Sequence, residues 1–150
     1  MRALLQRVSR ASVTIDEKIS GQIGQGLLIL LGIEDGDTHD DIDWLCGKIS
    51  RLRIFSDEEG KMNHSVTDVD GDLLVVSQFT LYGSTKKGNR PSFIRSAKPD
   101  VAVPLYKHFV KRLSFVALRP VETGEFGADM QVELINDGPV TIWMDTKQKE

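Results

Sequence analysis

This chain is short of the residues from which most active sites are built. It has one cysteine, Cys46, in 150 residues. That excludes an internal disulfide and a cysteine-rich metal centre, and such a lone cysteine is expected as a small buried apolar residue. The three histidines, His39, His64 and His108, lack metal-ligand spacing relative to one another or to Cys46, so no metal site is expected. His108 reads as a surface or interface residue. There is no G-x-S-x-G elbow, no P-loop and no G-x-G-x-x-G. No apolar run approaches the roughly 18–20 residues that cross a bilayer. The opening residues, with Arg2, Gln6, Arg7 and Arg10 among apolar ones, do not form a secretory signal. A cytoplasmic location is the expectation. A large charge excess is also missing: 19 basic against 22 acidic residues leave a net charge of −3, so any nucleic-acid contact must come from local clustering.

What remains is an ordinary globular composition, 40% hydrophobic and 27% charged, with length for one domain over 1–150 and a substantial core. Ala3–Val8 and Ser12–Ile15 read as two strands with a break near Ser9-Arg10, and Gly21–Gly26 as a turn. Leu27–Leu31 is a continuous apolar run suited to a strand buried on both faces. Asp35-Gly36-Asp37 breaks the chain. Thr38 and Asp41 form a candidate capping box, and Ile42, Leu45, Ile49 and Leu52 give one helical stripe. Ser56–Gly71 reads as loop with a short hairpin. A second buried strand runs from Leu73 to Phe79. A glycine- and lysine-rich loop follows to Lys98, then a helix from Asp100 or Val101, with Pro104 placed in its first turn. Three strands close the chain: Leu118–Val121, Met130–Ile135 and Val140–Met144, with Ile142 and Trp143 expected in the core. The fold class is α/β in order β2-β-α-β-α-β3: strand-dominated mixed sheets, layered α/β/β and barrel-like, with two helices.

Three features could carry chemistry. Ser77-Gln78-Phe79-Thr80-Leu81 is small, polar and neutral where a buried strand should emerge. Its hydroxyls could merely satisfy backbone, or Ser77 or Thr80 could be a nucleophile, which needs a base not found nearby in sequence. Its main-chain N–H groups, around Gln78 and Phe79, could instead serve as oxyanion donors, which needs no base. Asn136-Asp137-Gly138-Pro139-Val140-Thr141 is a rigid corner poor in side chain. Because X-Pro bonds are cis in only about 5–6% of cases, the residues alone favour trans. The third feature is Lys86, Lys87, Arg90, Arg95 and Lys98, with Tyr82 and Phe93 near them for stacking, and no acidic residue among the five cations. It is either a phosphate-binding patch or a solvated loop. The acidic clusters at Asp35–Asp43 and Asp57–Glu59 read as solvated caps and loops.

Taken together, these segments resemble the D-aminoacyl-tRNA deacylase family of the bacterial and eukaryotic type. The resemblance spans essentially the whole chain. It rests on the opening Met-Arg-Ala-Leu-Leu-Gln-Arg-Val, Ser77–Leu81, Lys87-Gly88-Asn89-Arg90-Pro91-Ser92-Phe93 and Asn136–Thr141. It implies a cytoplasmic homodimer that hydrolyses the ester of D-aminoacyl-tRNA, and of mischarged glycyl-tRNA, with no cofactor, metal, membrane or DNA partner. It implies a cis Gly138-Pro139 bond inserted into the other subunit's site, where its carbonyls grip the substrate ammonium and an L side chain is excluded. Arg7 would fix that motif and Ala102 would lie near the pocket. Ser77, Gln78, Phe79 and Thr80 would hold the 3′-terminal adenosine and the ester, with the terminal ribose 2′-hydroxyl helping to activate water. Lys86, Lys87, Arg90, Arg95 and Lys98 would contact tRNA. Two rival readings stay open: a small-molecule esterase with Thr80 or Ser77 as covalent nucleophile, and a non-enzymatic RNA-binding module.

Overall fold

In the computed structural model, which describes residues 1–150, one long strand organises everything else. Strand β1 (Arg2–Ile15) pairs antiparallel along one side with β8 (Gln131–Asp145) over nearly its whole length. Along its other side it pairs first with β3 (Gly26–Gly32) and then with β2 (Lys18–Ile23), both antiparallel. Strands β6 (Asp72–Ser77) and β7 (Val121–Thr123) continue from β3 in parallel. A separate two-stranded hairpin joins β4 (Phe55–Ser56) to β5 (Met62–His64). The predicted break near Ser9-Arg10 is a bend rather than a gap. Strand β1 stays continuous, and its register against β8 shifts between Gln6 and Val8 and again between Val8 and Arg10.

That bend creates the layers. Helices α1 (His39–Arg51) and α2 (Pro99–Ala117) pack against one face, burying Ala3, Leu5, Leu27, Ile29, Leu31, Leu73 and Val75. Beyond the bend, Val8, Ala11, Val13 and Ile23 fold over the opposite face and meet Leu28, Leu74 and Val76. Residues of both parities in β3 and β6 are thus buried, which is why those runs read as unbroken apolar sequence. The sheet curls until Ser20 Oγ in β2 donates to Thr123 O in β7 at 3.1 Å. Two helices, a mixed sheet nearly closed into a barrel and the α/β/β layering match the sequence expectation. No helix is long and apolar enough to cross a membrane.

Helix α1 starts where its capping box predicts: the Thr38 N–H donates to Asp41 Oδ2 at 2.8 Å. Helix α2 starts a residue or two early, with Pro99 at its first position, where the missing N–H costs nothing. Pro104 is therefore inside the helix, past the first turn in which the sequence had placed it. The helix ends on Leu118, a non-glycine residue in the left-handed region at φ 54°. His39 and His108 stack face to face at 3.9 Å and join the two helices. Cys46 is fully buried, and its thiol is pushed up to about 12 by that burial.

Candidate active site

The parallel arrangement of β3, β6 and β7 makes the carboxyl ends of these strands one rim, the usual place for a ligand crevice in α/β sheets. Ser77 is the last residue of β6. The Gln78 N–H donates to Leu31 O at 2.8 Å, the final ladder bond before the chain turns into a single 3-10 turn, Phe79–Tyr82. Gln78 N–H is therefore occupied and drops out of the predicted oxyanion donors. Phe79 opens the 3-10 turn, so its N–H and that of Thr80 have no partner within it. Thr80 Oγ accepts a hydrogen bond from the Gln78 side-chain amide, a neutral donor that cannot act as a general base.

Ser77, Gln78 and Phe79 form one wall of a cleft of about 320 Å³. The other wall is Phe126, Gly127, Ala128, Asp129, Met130 and Val132. This second wall was not visible in the sequence. Apart from Val132 in β8, it is an irregular segment between β7 and β8 with no period, marked only by Gly124 and Gly127. Phe126 stacks edge-on to Tyr106 at 5.9 Å, and the Tyr106 hydroxyl donates to Val75 O at 3.0 Å, so both walls are tied to α2. Asp129 is the one ionisable side chain lining the cleft, and it has no hydrogen bond to either hydroxyl. Ala102 is buried beneath Ser77 and Phe79, in a hollow with Leu31, Ile33, Ala97 and Phe126.

The second motif stands elsewhere. Asn136–Val140 forms a large bulge inside β8, so the two predicted strands here are one: Val8 faces Asn136, Gln6 faces Thr141, and Arg7 alone faces the residues between. The Gly138-Pro139 bond is cis. Asn136 closes the bulge, its side-chain amide donating to Arg7 O and Val140 O, both at 3.0 Å, and its Oδ1 accepting from Val140 N–H at 3.3 Å. Arg7, only 8% exposed, donates to Asp137 O at 2.8 Å and Ile54 O at 2.7 Å. Gly138 has no room for a side chain, since a Cβ there would collide with the Val140 N–H.

Within one chain the motifs do not meet. Ser77 aligns through Leu31 with Ala3, whereas the corner aligns with Arg7, four residues further along β1. That is about 13 Å along the strands, and three inter-strand steps add about 14 Å across them.

The basic loop lies beside the Ser77–Tyr82 turn. Lys86, Lys87, Arg90 and Lys98 are exposed. Arg95 is exposed too but is paired with Glu34 at 3.0 Å. Tyr82 is buried, so it is not available to stack on a base as the sequence suggested; it packs under the Arg2 guanidinium instead. Trp143 is 49% exposed rather than in the core, whereas Ile142 packs against the main core as expected.

A family model described as "D-Tyr-tRNA(Tyr) deacylase" matches residues 4–145. The chain is 61% identical over 150 residues, all of both chains, to a "D-aminoacyl-tRNA deacylase" of Flavobacterium johnsoniae. It is 60% identical, again over all of both, to the protein of that name from Bacteroides fragilis strain YCH46. Among solved structures it is similar to "c-Myc DNA Unwinding Element Binding Protein", with a TM-score of 0.92 and 42% identity over 97% of this chain and 99% of that one. It shares the fold of "a probable eukaryotic D-amino acid tRNA deacylase", with a TM-score of 0.82 and 20% identity over 95% and 97% of the two chains.

Proposed function

The chain belongs to the D-Tyr-tRNA(Tyr) deacylase family and is a hydrolase of the aminoacyl-tRNA ester bond, and we propose that it sorts D from L substrates with backbone groups supplied by two copies of itself. The 3′-terminal adenosine lies in the cleft between Phe79 and the Phe126–Met130 wall. Its ester carbonyl points at the Phe79 and Thr80 N–H groups, which stabilise the oxyanion of the tetrahedral intermediate. Water attacks the ester carbon, helped by the free 2′-hydroxyl of the terminal ribose, and the ribose oxygen leaves with a proton. The observation that carries this reading is the free donor pair at the end of β6 with no base beside Thr80 or Ser77. An ester is already activated, so donors worth about 2.7–4 kcal/mol each are a sufficient protein contribution.

The Gly138-Pro139 corner of one copy enters the cleft of the other and grips the substrate ammonium with its carbonyls. An L side chain then collides with backbone, whereas a D side chain points out and glycine offers nothing to reject, so glycyl-tRNA is cleaved as well. The distance between the motifs in one chain supports a homodimer, as do half-exposed Ile135 and Trp143 on β8 and the outer edge of that strand, which has no neighbour. Arg7 holds the corner, Ala102 underlies the cleft floor, and Lys86, Lys87, Arg90, Arg95 and Lys98 face the RNA. The deciding assay compares hydrolysis of D-Tyr-tRNA, L-Tyr-tRNA and Gly-tRNA by the purified protein. Rapid loss of the D and glycyl esters with the L ester untouched is expected. Equal cleavage of both enantiomers would overturn the chiral reading.

A further inference from the structure

The basic loop is fastened to the Phe79–Tyr82 turn by contacts that neither motif explains. Ser96 Oγ donates to Phe79 O at 2.8 Å. The Phe93 ring meets the Phe79 ring edge-on at 5.2 Å. Gly83 leaves the space in which Phe93 sits, since a Cβ there would lie 3.0 Å from that ring and 3.0 Å from Thr80 O. The loop's two stems are cross-linked, Ser84 and Ser92 exchanging backbone hydrogen bonds at 2.8 and 2.9 Å, and Ala97 N–H anchors its end to Ile33 O at 2.9 Å. Between those stems stand Lys86, Lys87 and Arg90, all exposed and without an acidic partner. A load on these cations is transmitted through a short, braced segment to the turn that carries the proposed oxyanion donors.

We propose that Ser96 is a positioning residue that couples RNA contact on the basic loop to the orientation of the Thr80 N–H, so that the ester of a full tRNA is cleaved faster than the same ester on a short 3′ fragment. The inference rests on the oxyanion role proposed above. Ser96 touches neither substrate nor reacting atoms. Its hydroxyl fixes the Phe79 carbonyl, hence the plane of the Phe79–Thr80 peptide, and the Thr80 N–H belongs to that same rigid unit.

Two substrates separate the roles: full-length D-Tyr-tRNA, which reaches the loop, and a D-tyrosyl CCA trinucleotide, which ends at the cleft. Wild-type protein is expected to show a higher kcat on the full tRNA. Ser96→Ala should lower that kcat about two- to tenfold, the range set by one net hydrogen bond of about 0.5–1.5 kcal/mol, with KM within about twofold and a distinctly smaller loss on the trinucleotide, so that the advantage of the full tRNA shrinks. Ser96→Thr, which keeps the hydroxyl, should restore most of the loss. Thermal melting of both variants checks that the fold is intact. An equal loss on both substrates would make Ser96 a simple brace and overturn the coupling, as would an effect on KM alone or no effect. If wild-type protein hydrolyses neither D-tyrosyl substrate, the proposed function fails first and the inference falls with it.

Discussion

If the corner of one copy completes the cleft of the other, two inactive variants should repair each other. One variant is Gly138→Ala, whose new Cβ would collide with Val140 N and must displace the corner. The other is Phe79→Ala, which removes a cleft wall and loosens the turn. Misplacing a catalytic group by about 1 Å costs on the order of 10²-fold, so each variant alone should retain about 1% of wild-type activity. The geometry then fixes the outcome of mixing. Groups acting on one ester must lie within about 3.5 Å of it, whereas the motifs of one chain are separated by about 13 Å along the sheet and about 14 Å across it. In a mixed dimer, one site combines both defects and the other combines an intact turn with an intact corner. Random pairing puts half of the dimers in the mixed state, so about a quarter of all sites should be whole. Co-expression with two different affinity tags, purification of the mixed species and D-Tyr-tRNA hydrolysis provide the assay. Recovery to about a quarter of wild-type activity is expected before the mixed species is isolated, and about half afterwards. Activity no greater than that of the separate variants would refute the two-copy site.

Thr80→Ala should keep activity within about tenfold of wild type, whereas a substrate with 2′-deoxyadenosine at its 3′ end should lose at least about 10²-fold, the scale of a lost acid–base group; an acyl group on Thr80 in the mass spectrum of a quenched reaction would contradict both. Leu118→Gly should stabilise the protein by about 0.5–1 kcal/mol, read as a higher Tm, because Leu118 is 88% exposed and holds a left-handed conformation that glycine adopts freely. Acid should unfold the protein through Asp41 and Asp145. Burial alone would raise both carboxyls, but at Asp41 the Thr146 hydroxyl, the Lys147 ammonium and the Thr38 N–H, and at Asp145 the Lys147 N–H and Arg2, hold them below the ordinary 3.8. Groups depressed on folding contribute fully above their unfolded value, so Tm should be level at neutral pH and fall as pH drops below about 4. Lys147→Met, which removes one of those partners, should lower Tm at neutral pH and make that fall shallower, because less of the depression is left to lose.

How much of this was legible in the sequence depended on whether the signal was local. The α1 cap and stripe, and the apolar runs of β3 and β6, are set by neighbours within a few residues, and they formed as read, except that the strand expected to reach Phe79 stops at Ser77. The bend in β1 and the continuity of β8 are not local properties. Asn136–Val140 looks like a hairpin corner because its residues favour turns, and only pairing on both sides of Arg7 makes it a bulge within one strand. Pro104 was misplaced because Pro99 took the first helical position. Ser77–Thr80 was recognisable from a polar stretch ending an apolar run, but the loss of Gln78 N–H to Leu31 could not be foreseen without strand order. The facing wall, Phe126 and Met130, arrives from about 50 residues away on irregular backbone that no periodicity marks. Tyr82 and Trp143 exchanged their expected places because burial of a single aromatic is decided by packing across elements, Tyr82 against Arg2 and Trp143 on an outer strand.

Arg7 reaches two carbonyls from distant stretches of chain, one at Asp137 in the corner and one at Ile54 just before the small hairpin. A single guanidinium therefore makes the seating of the corner answerable to the path of the backbone at Leu52–Phe55, the connector between α1 and the small hairpin. Insertions or deletions there should betray themselves first as errors in telling mirror-image substrates apart, at temperatures where the protein is still folded. Selection acting on fidelity would thus police a connector that lies outside both motifs.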